Sequence, residues 1–193
     1  MTVKEAIETR RAFRALEPVE ISDGDLKELA AAAQLAASCF NNQPWKFVFA
    51  RSEESLAKVQ ACLSKNNDWA RSGSLIIAAF AGKDYDCVVK EREFYLFDLG
   101  MAVSALLLRA TEMGLVAHPI AGFDNARAAA ALGIPDGNML LTLIIVGNKS
   151  GNLSALTAPQ AAMETGGRPP RLPLENVYSV DAYDVKLAVK PAR

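Results

Sequence analysis

Residues 92–113 read REFYLFDLGMAVSALLLRATEM. Phe94, Phe97, Met101, Ala105 and Leu108 recur at steps of three and four, the period of one helical face. Leu96, Leu99, Val103, Leu106 and Leu107 fill much of the remaining circumference. A helix apolar nearly all round has to be covered on most sides, at the centre of a fold or against another subunit. Arg109 cuts off the most apolar stretch, Leu99 to Leu108, which is too short to span a bilayer. Gly114 can end the helix. On either side of this helix stand two strand patterns. Leu75–Ala81 is a continuous apolar run suited to a buried strand, and Met139–Val146 is the strongest strand pattern in the chain.

Further out, helical and extended patterns mix without a regular order. Residues 3–14 place Val3, Ala6, Ile7 and Phe13 near one face of a short helix. Residues 25–37 form a second, with Leu26, Leu29, Ala30, Ala33 and Ala37 on one side and Ser22 and Asp23 as caps. Residues 45–50 are aromatic and β-branched and follow Pro44, which predicts a strand. Helices are expected over 54–63 and 125–132, the latter closed by Gly133 and Pro135. Residues 148–173 are rich in Gly, Ala, Ser, Thr and Pro and predict a long loop or arm, with a return to extended chain over 183–189. No repeat is present. This irregular order predicts an α+β fold rather than a doubly wound sheet.

The 193 residues suffice for one domain, 1–193, of which 148–193 form the arm. A net charge of −1 gives no support to a nucleic-acid or membrane partner. Three cysteines, Cys39, Cys62 and Cys87, stand at long spacings with no CxxC. They predict neither a disulfide framework nor a structural zinc site, and fit a reducing cytoplasm. The N-terminus has no signal-peptide run. Neither GxGxxG nor GxxxxGK[ST] occurs, and no GxSxG elbow accompanies the single histidine. Beside Pro119, His118 is expected to be structural. Glu91, Glu93 and Asp98 are expected to form a solvated face.

Four segments carry chemistry. Thr9-Arg10-Arg11-Ala12-Phe13-Arg14 gathers three forked guanidiniums for phosphate or carbonyl oxygens, with a small residue between them. Ser38-Cys39-Phe40-Asn41-Asn42-Gln43-Pro44-Trp45 offers a hydroxyl and side-chain amides to the polar edge of a heterocycle. His118-Pro119-Ile120-Ala121-Gly122-Phe123-Asp124 includes a glycine that lets a ligand approach the backbone. Arg168-Pro169-Pro170-Arg171-Leu172-Pro173-Leu174-Glu175 is a stiff basic arm. Taken singly, each also reads as a basic face, a turn or a tail.

In this order and at these separations, the four segments resemble the FMN-dependent nitroreductases across residues 4–178. The resemblance implies a central, mostly antiparallel sheet flanked by helices, with the C-terminal arm wrapping a partner subunit. It implies that Arg10, Arg11 and Arg14 hold the FMN phosphate and the pyrimidine edge. Ala12 takes a position usually held by serine. Ser38, Cys39 and Asn41 would line the flavin from the partner subunit, with Ala37 where a proline is usual. Pro119 and Ile120 would pack along the ring, and the Ala121 amide would point at N5 with Gly122 beside it. Arg168 and Arg171 would reach the phosphate. Asn67 lies where relatives often place a ring-contacting polar residue.

The implied activity is ping-pong hydride transfer from NAD(P)H to a nitroaromatic, quinone or similar small oxidant. The implied assembly is a homodimer with FMN at its interface. Ala121 and Arg14 are the catalytic candidates, the latter offsetting negative charge on the reduced ring. Three other readings stay open: an FMN storage or sensing protein, a member that destroys flavin or dehalogenates its substrate, and a helical interaction protein without flavin.

Overall fold

Every residue of Leu75–Gly82 is buried, which requires cover on both faces of the strand. The computed structural model, which describes residues 1–189, shows how that cover is provided. In chain order the elements are α1 (Val3–Thr9), β1 (Leu16–Glu17), α2 (Asp23–Gln34), β2 (Trp45–Ala50), α3 (Glu53–Gln60) and β3 (Leu75–Gly82). A small hairpin of β4 (Val88–Val89) and β5 (Arg92–Glu93) follows, then α4 (Tyr95–Glu112), β6 (Val116–Ile120), α5 (Asn125–Ala131), β7 (Asn138–Lys149) and α6 (Ala158–Thr165). The main sheet runs β1-β7-β3-β2, with β6 also paired to β7, and each pairing is antiparallel. The expected α+β class and antiparallel sheet are therefore present.

The two-residue period of β3 sorts its side chains between two cores. Leu75, Ile77, Ala79 and Ala81 join Leu29 and Ala33 of α2 and Leu99, Ala102, Val103, Leu106 and Ala110 of α4. Ile76, Ala78 and Phe80 face the other way, with Val59 of α3, Trp69 and Ala128 of α5. Fully burying such a side chain contributes about 1.5–3 kcal/mol. A bulge opposite Ala79 and Phe80 leaves Leu141 unpaired. That extra residue lets Leu140 share a face with Leu143 and Ile145.

Local chemistry starts the helices as expected. Ser22 caps α2 as expected, but Asp25 and not Asp23 completes the capping box, and Gly114, at φ 80°, follows α4. Other expectations need correction. The first helix ends at Thr9, because Arg10 leaves the helical region (φ −53°, ψ 121°) and carries 10–14 away as extended chain. The segment 148–173 is not all loop: α6 lies within it, begun by a Thr157–Gln160 capping box. Val185–Leu187 forms a short 3₁₀ turn where extended chain is expected. Asp98 is 1% exposed rather than part of a solvated face. Cys39 and Cys87, separated by 48 positions, are joined in a disulfide; only the tertiary fold brings them together, so spacing gives no sign of it. No helix among the described residues is long and apolar enough to cross a membrane.

Candidate anion and flavin site

The turn out of α1 puts Arg10, Arg11, Ala12 and Arg14 along one wall of a cleft. Met163 and Glu164 of α6, then Arg168, Pro169 and Arg171, form the other wall. Two segments about 150 positions apart thus make one surface, and a reciprocal clasp holds them. The Arg11 guanidinium donates to the carbonyls of Met163, Gly166 and Gly167, each at 3.1 Å, at the C-terminal end of α6. Arg168 donates in return to the carbonyls of Glu8 (2.5 Å) and Arg10 (2.7 Å), at the end of α1. Both cations sit where a helix leaves unpaired carbonyls and partial negative charge. Arg11 also lies over the Phe13 ring at 4.6 Å, and the Lys149 ammonium approaches the same ring at 4.5 Å.

The clasp divides the arginines by task. Arg11 and Arg168 are spent on carbonyls. The guanidiniums of Arg10 and Arg14 have no hydrogen-bond or ion-pair partner among the described residues, and Arg171 donates only to the nearby Pro169 carbonyl. Five guanidiniums line the cleft against the single carboxylate of Glu164. One oxygen of that carboxylate accepts the Arg14 N–H at 2.7 Å, while the other is buried without a partner. Burial, then the charges of Arg168 and Arg171, lower the Arg10 pKa from its usual value. An arginine so placed is strained by its own charge, and a bound anion relieves that strain. The cleft encloses about 140 Å³. That is room for a phosphate group and well short of the few hundred Å³ of a whole-ligand pocket.

Strand β6 is tied to the basic segment through His118. His118 stands opposite Ile145, 7% exposed, with its ring 4.6 Å from that of Trp69. Its Nδ1 is 2.9 Å from the Phe13 carbonyl oxygen. Burial, with smaller contributions from the Arg14 and Arg10 charges, pushes its pKa down to about 4, against the effect of that carbonyl. The ring is therefore neutral near pH 7, and Nδ1–H donates to Phe13. The histidine is structural, as the sequence suggests. It ties the basic segment to the strand leading into Pro119, Ile120 and Ala121.

At the end of β6 Ala121 is exposed, and its N–H has no acceptor among the described residues. Its neighbour is pinned. The Gly122 carbonyl accepts from the Ser64 N–H (3.1 Å) and from Asn67 Nδ2 (2.8 Å). Trp69 Nε1 in turn donates to Asn67 Oδ1 at 3.2 Å. A Cβ on Gly122 would lie 2.6 Å from Asn67 Nδ2 and 2.7 Å from Ser64 Oγ, so any side chain there forces these two groups to shift. Asn67, expected against a ligand ring, has its amide committed to this strut.

Ser38, Cys39 and Asn41 do not join the cleft within one chain. They sit on a 3₁₀ turn over Cys39–Asn41, tied to Asp86, Cys87 and the start of α4. Glu164 and Met163 line the cleft without any signal in the sequence, since α6 lies in a compositionally plain segment.

Comparison with known proteins identifies the family and the fold. The profile of the nitroreductase family matches residues 7–71 and 59–148. An uncharacterized 15.4 kDa protein of Mycolicibacterium smegmatis is 32% identical over 127 residues, 65% of this chain and 82% of its own. A Bacillus subtilis (strain 168) protein, provisionally named NAD(P)H nitroreductase YdgI, is 26% identical over 166 residues, 67% of this chain and 79% of its own. Among solved structures, an oxidoreductase containing FMN superposes with a TM-score of 0.82 at 26% identity, covering 95% of this chain and 94% of that one. A protein of Exiguobacterium sibiricum 255-15 in complex with FMN gives 0.76 at 23% identity, over 93% and 97%.

Proposed function

The chain belongs to the nitroreductase family, and from that membership we propose that it binds FMN and uses NAD(P)H to reduce a nitroaromatic, quinone or similar small oxidant. The observation that carries the reading is the cleft in which Arg10, Arg14 and Arg171 converge, two of them without partners and one with its charge disfavoured. The donor set suits a phosphate monoester. Bound FMN would supply the redox chemistry, taking hydride from NAD(P)H and passing it on.

The chain's own residues would position and stabilise. Arg10 and Arg171 hold the phosphate by charge-assisted hydrogen bonds. Arg14, one turn of chain nearer β6, offsets negative charge at the pyrimidine edge. The free Ala121 N–H supplies a donor toward N5, and Pro119 gives the ring an apolar floor, whereas the Ile120 side chain, 6% exposed, belongs to the core. No side-chain acid or base is required, which accords with a neutral, buried His118 as the single histidine.

A second copy would complete the site. The cleft holds only a phosphate head, so the ring needs further walls. Ser38, Cys39 and Asn41 of a symmetry-related chain are the proposed source. The face of α4 that carries Phe97, Gly100 and Ser104 is exposed in the single chain, as are Val3 and Ile7 of α1 and the apolar residues of the arm from Leu174 to Val189. Unpartnered apolar surface on this scale fits a symmetric interface and an embracing arm. We place the reaction in the cytoplasm, alongside the NAD(P)H pool.

The deciding experiment is denaturation of the purified yellow protein with identification of the released flavin, followed by NAD(P)H oxidation against a panel of nitroarenes and quinones. Release of FMN and turnover of at least one oxidant are expected. Release of FAD, or no flavin after reconstitution, would overturn the cofactor. FMN without any turnover would replace the enzyme with a storage or sensing protein.

A further inference from the structure

Cys39, Asp86, Cys87 and Asp98 form a cluster at the first turn of α4, and none of them lines the arginine cleft. Cys39 opens a turn in which Phe40, Asn41 and Gln43 have φ of 48°, 59° and 50°. Side chains other than glycine resist that region, so the turn is held in shape by its surroundings. Four restraints do this. The Cys39 N–H donates to Asp98 Oδ2 at 2.7 Å, Asn42 Nδ2 to Asp86 Oδ1 at 3.2 Å, and the Gln43 N–H to Ser38 Oγ at 3.0 Å. The Cys39–Cys87 bond is the fourth and the only covalent one, with a Cα separation of 6.3 Å.

The bond has acid chemistry beside it. A carboxylate oxygen of Asp86 lies within 4.8 Å of both sulfurs. Asp86 Oδ2 and Asp98 Oδ1 are buried without partners. Desolvation, and then the neighbouring Asp86, raise the Asp98 pKa, against the Cys39 N–H that lowers it. A second carboxyl beside Asp98 adds like charge to its buried site and so favours a proton on Asp98. Both cysteines are only partly buried, so a reductant can reach them.

We propose that Cys39–Cys87 is a thiol–disulfide exchange site, opened by a dithiol, with the Asp86–Asp98 pair supplying the proton to the departing sulfur. One thiolate of the reductant attacks one sulfur of the pair, and the S–S bond breaks. The other cysteine leaves as a thiolate and takes the proton held by the carboxyl pair. The reductant's second thiol then attacks the reductant sulfur of the mixed disulfide, expels the remaining cysteine as a thiolate, and its proton reaches that thiolate through solvent. The cysteines gain two electrons and two protons, the reductant becomes a disulfide, and solvent reprotonates the carboxyl pair. Opening removes the covalent restraint from the strained turn. Because Ser38, Cys39 and Asn41 are the residues proposed to line FMN, a further consequence, resting on the flavin reading, is weaker FMN retention in the reduced protein.

The test uses the full-length protein as isolated, air-oxidised and then treated with dithiothreitol. Alkylation under denaturant, read by mass, should find only Cys62 free before treatment and all three cysteines free after it. Hydrogen exchange over residues 38–44 should speed up on reduction. In Cys87→Ser it should be fast from the start and indifferent to dithiothreitol. Asp98→Asn, which can still accept the Cys39 N–H, should slow opening on the order of tenfold or more without changing its end point; Asp86→Asn provides the same check should the first variant fold poorly. Three free thiols in the oxidised protein, or unaltered exchange over 38–44, would overturn the site. Rates unchanged in both folded aspartate variants would overturn the proton source. Opening without any FMN bound in either state would leave the exchange site standing and defeat the flavin reading instead.

Discussion

Arg14 and Lys58 carry the same charge on opposite terms with their surroundings. Lys58 is exposed on α3 and paired at 2.7 Å with Glu54; Arg14 faces the cleft with a free guanidinium. A charged hydrogen bond contributes about 1.5–3 kcal/mol, so Arg14→Glu should weaken FMN binding by about tenfold or more. Lys58→Glu should leave it unchanged, and equal affinities in a fluorescence titration would reduce the N-terminal cluster to a solvated face. At Ala121 the backbone is the group of interest. Ala121→Pro deletes the N–H and should slow flavin reduction in stopped flow, whereas Ala121→Glu keeps it and should retain FMN. Identical behaviour in folded variants would misplace this residue relative to the ring. For His118 the sign follows from burial. Its folded pKa of about 4 lies below the ordinary 6.5, so the unfolded chain takes up more protons between those values. Its share of stability is complete above about pH 6.5, falls as pH drops, and is lost near pH 4, about 3 kcal/mol in all. His118→Gln should flatten that slope in urea titrations; an unchanged slope would assign it to other groups.

At the scale of elements, the strand β6 and its turn are set by what Gly122 lacks. Gly122→Ala forces a methyl group against Asn67 and Ser64 and should cost about 1–3 kcal/mol through overpacking, seen as a lower urea midpoint. An unshifted midpoint would mean that the strut gives way. The same element shows what a sequence can disclose. The helical period of 92–113 and the unbroken apolar run of 75–81 were legible because burial on one face or both leaves a periodic trace. β6 was harder, since Pro119 is unusual in a strand; it is tolerated at an edge, where its missing N–H goes unasked. α6 was hidden by composition, although Thr157, Pro159 and Gln160 spell a helix start. The basic character of 9–14 and 168–175 was readable, and the fold brings both segments to one cleft. Which arginines are free and which are clasped was not readable, because that depends on carbonyls exposed where α1 and α6 end. Glu164, Asp98 and the Cys39–Cys87 pair left no local pattern, since each acquires its role from a residue tens of positions away.

For the whole molecule, the uncovered face of α4 is the decisive surface. Phe97 is 62% exposed there, in a helix whose opposite face is fully packed. A stable dimer buries at least about 1,000 Å², and this face together with α1 and the arm is the proposed source. Phe97→Glu should therefore yield monomers by light scattering that keep their circular dichroism and lose FMN. A wild-type monomer that holds FMN tightly would end the shared-site proposal. The clasp of Arg11 on α6 and Arg168 on α1 also has a consequence in time. A ribosome delivers Arg10 before the sheet and Arg171 only after the entire sheet has been translated. Until then the early arginines face water with no opposite wall, and an anion finds no cleft to enter. If an anion loads there as proposed, its occupancy requires synthesis to have passed Arg171, and a chain released short of Arg168 would lack the second wall.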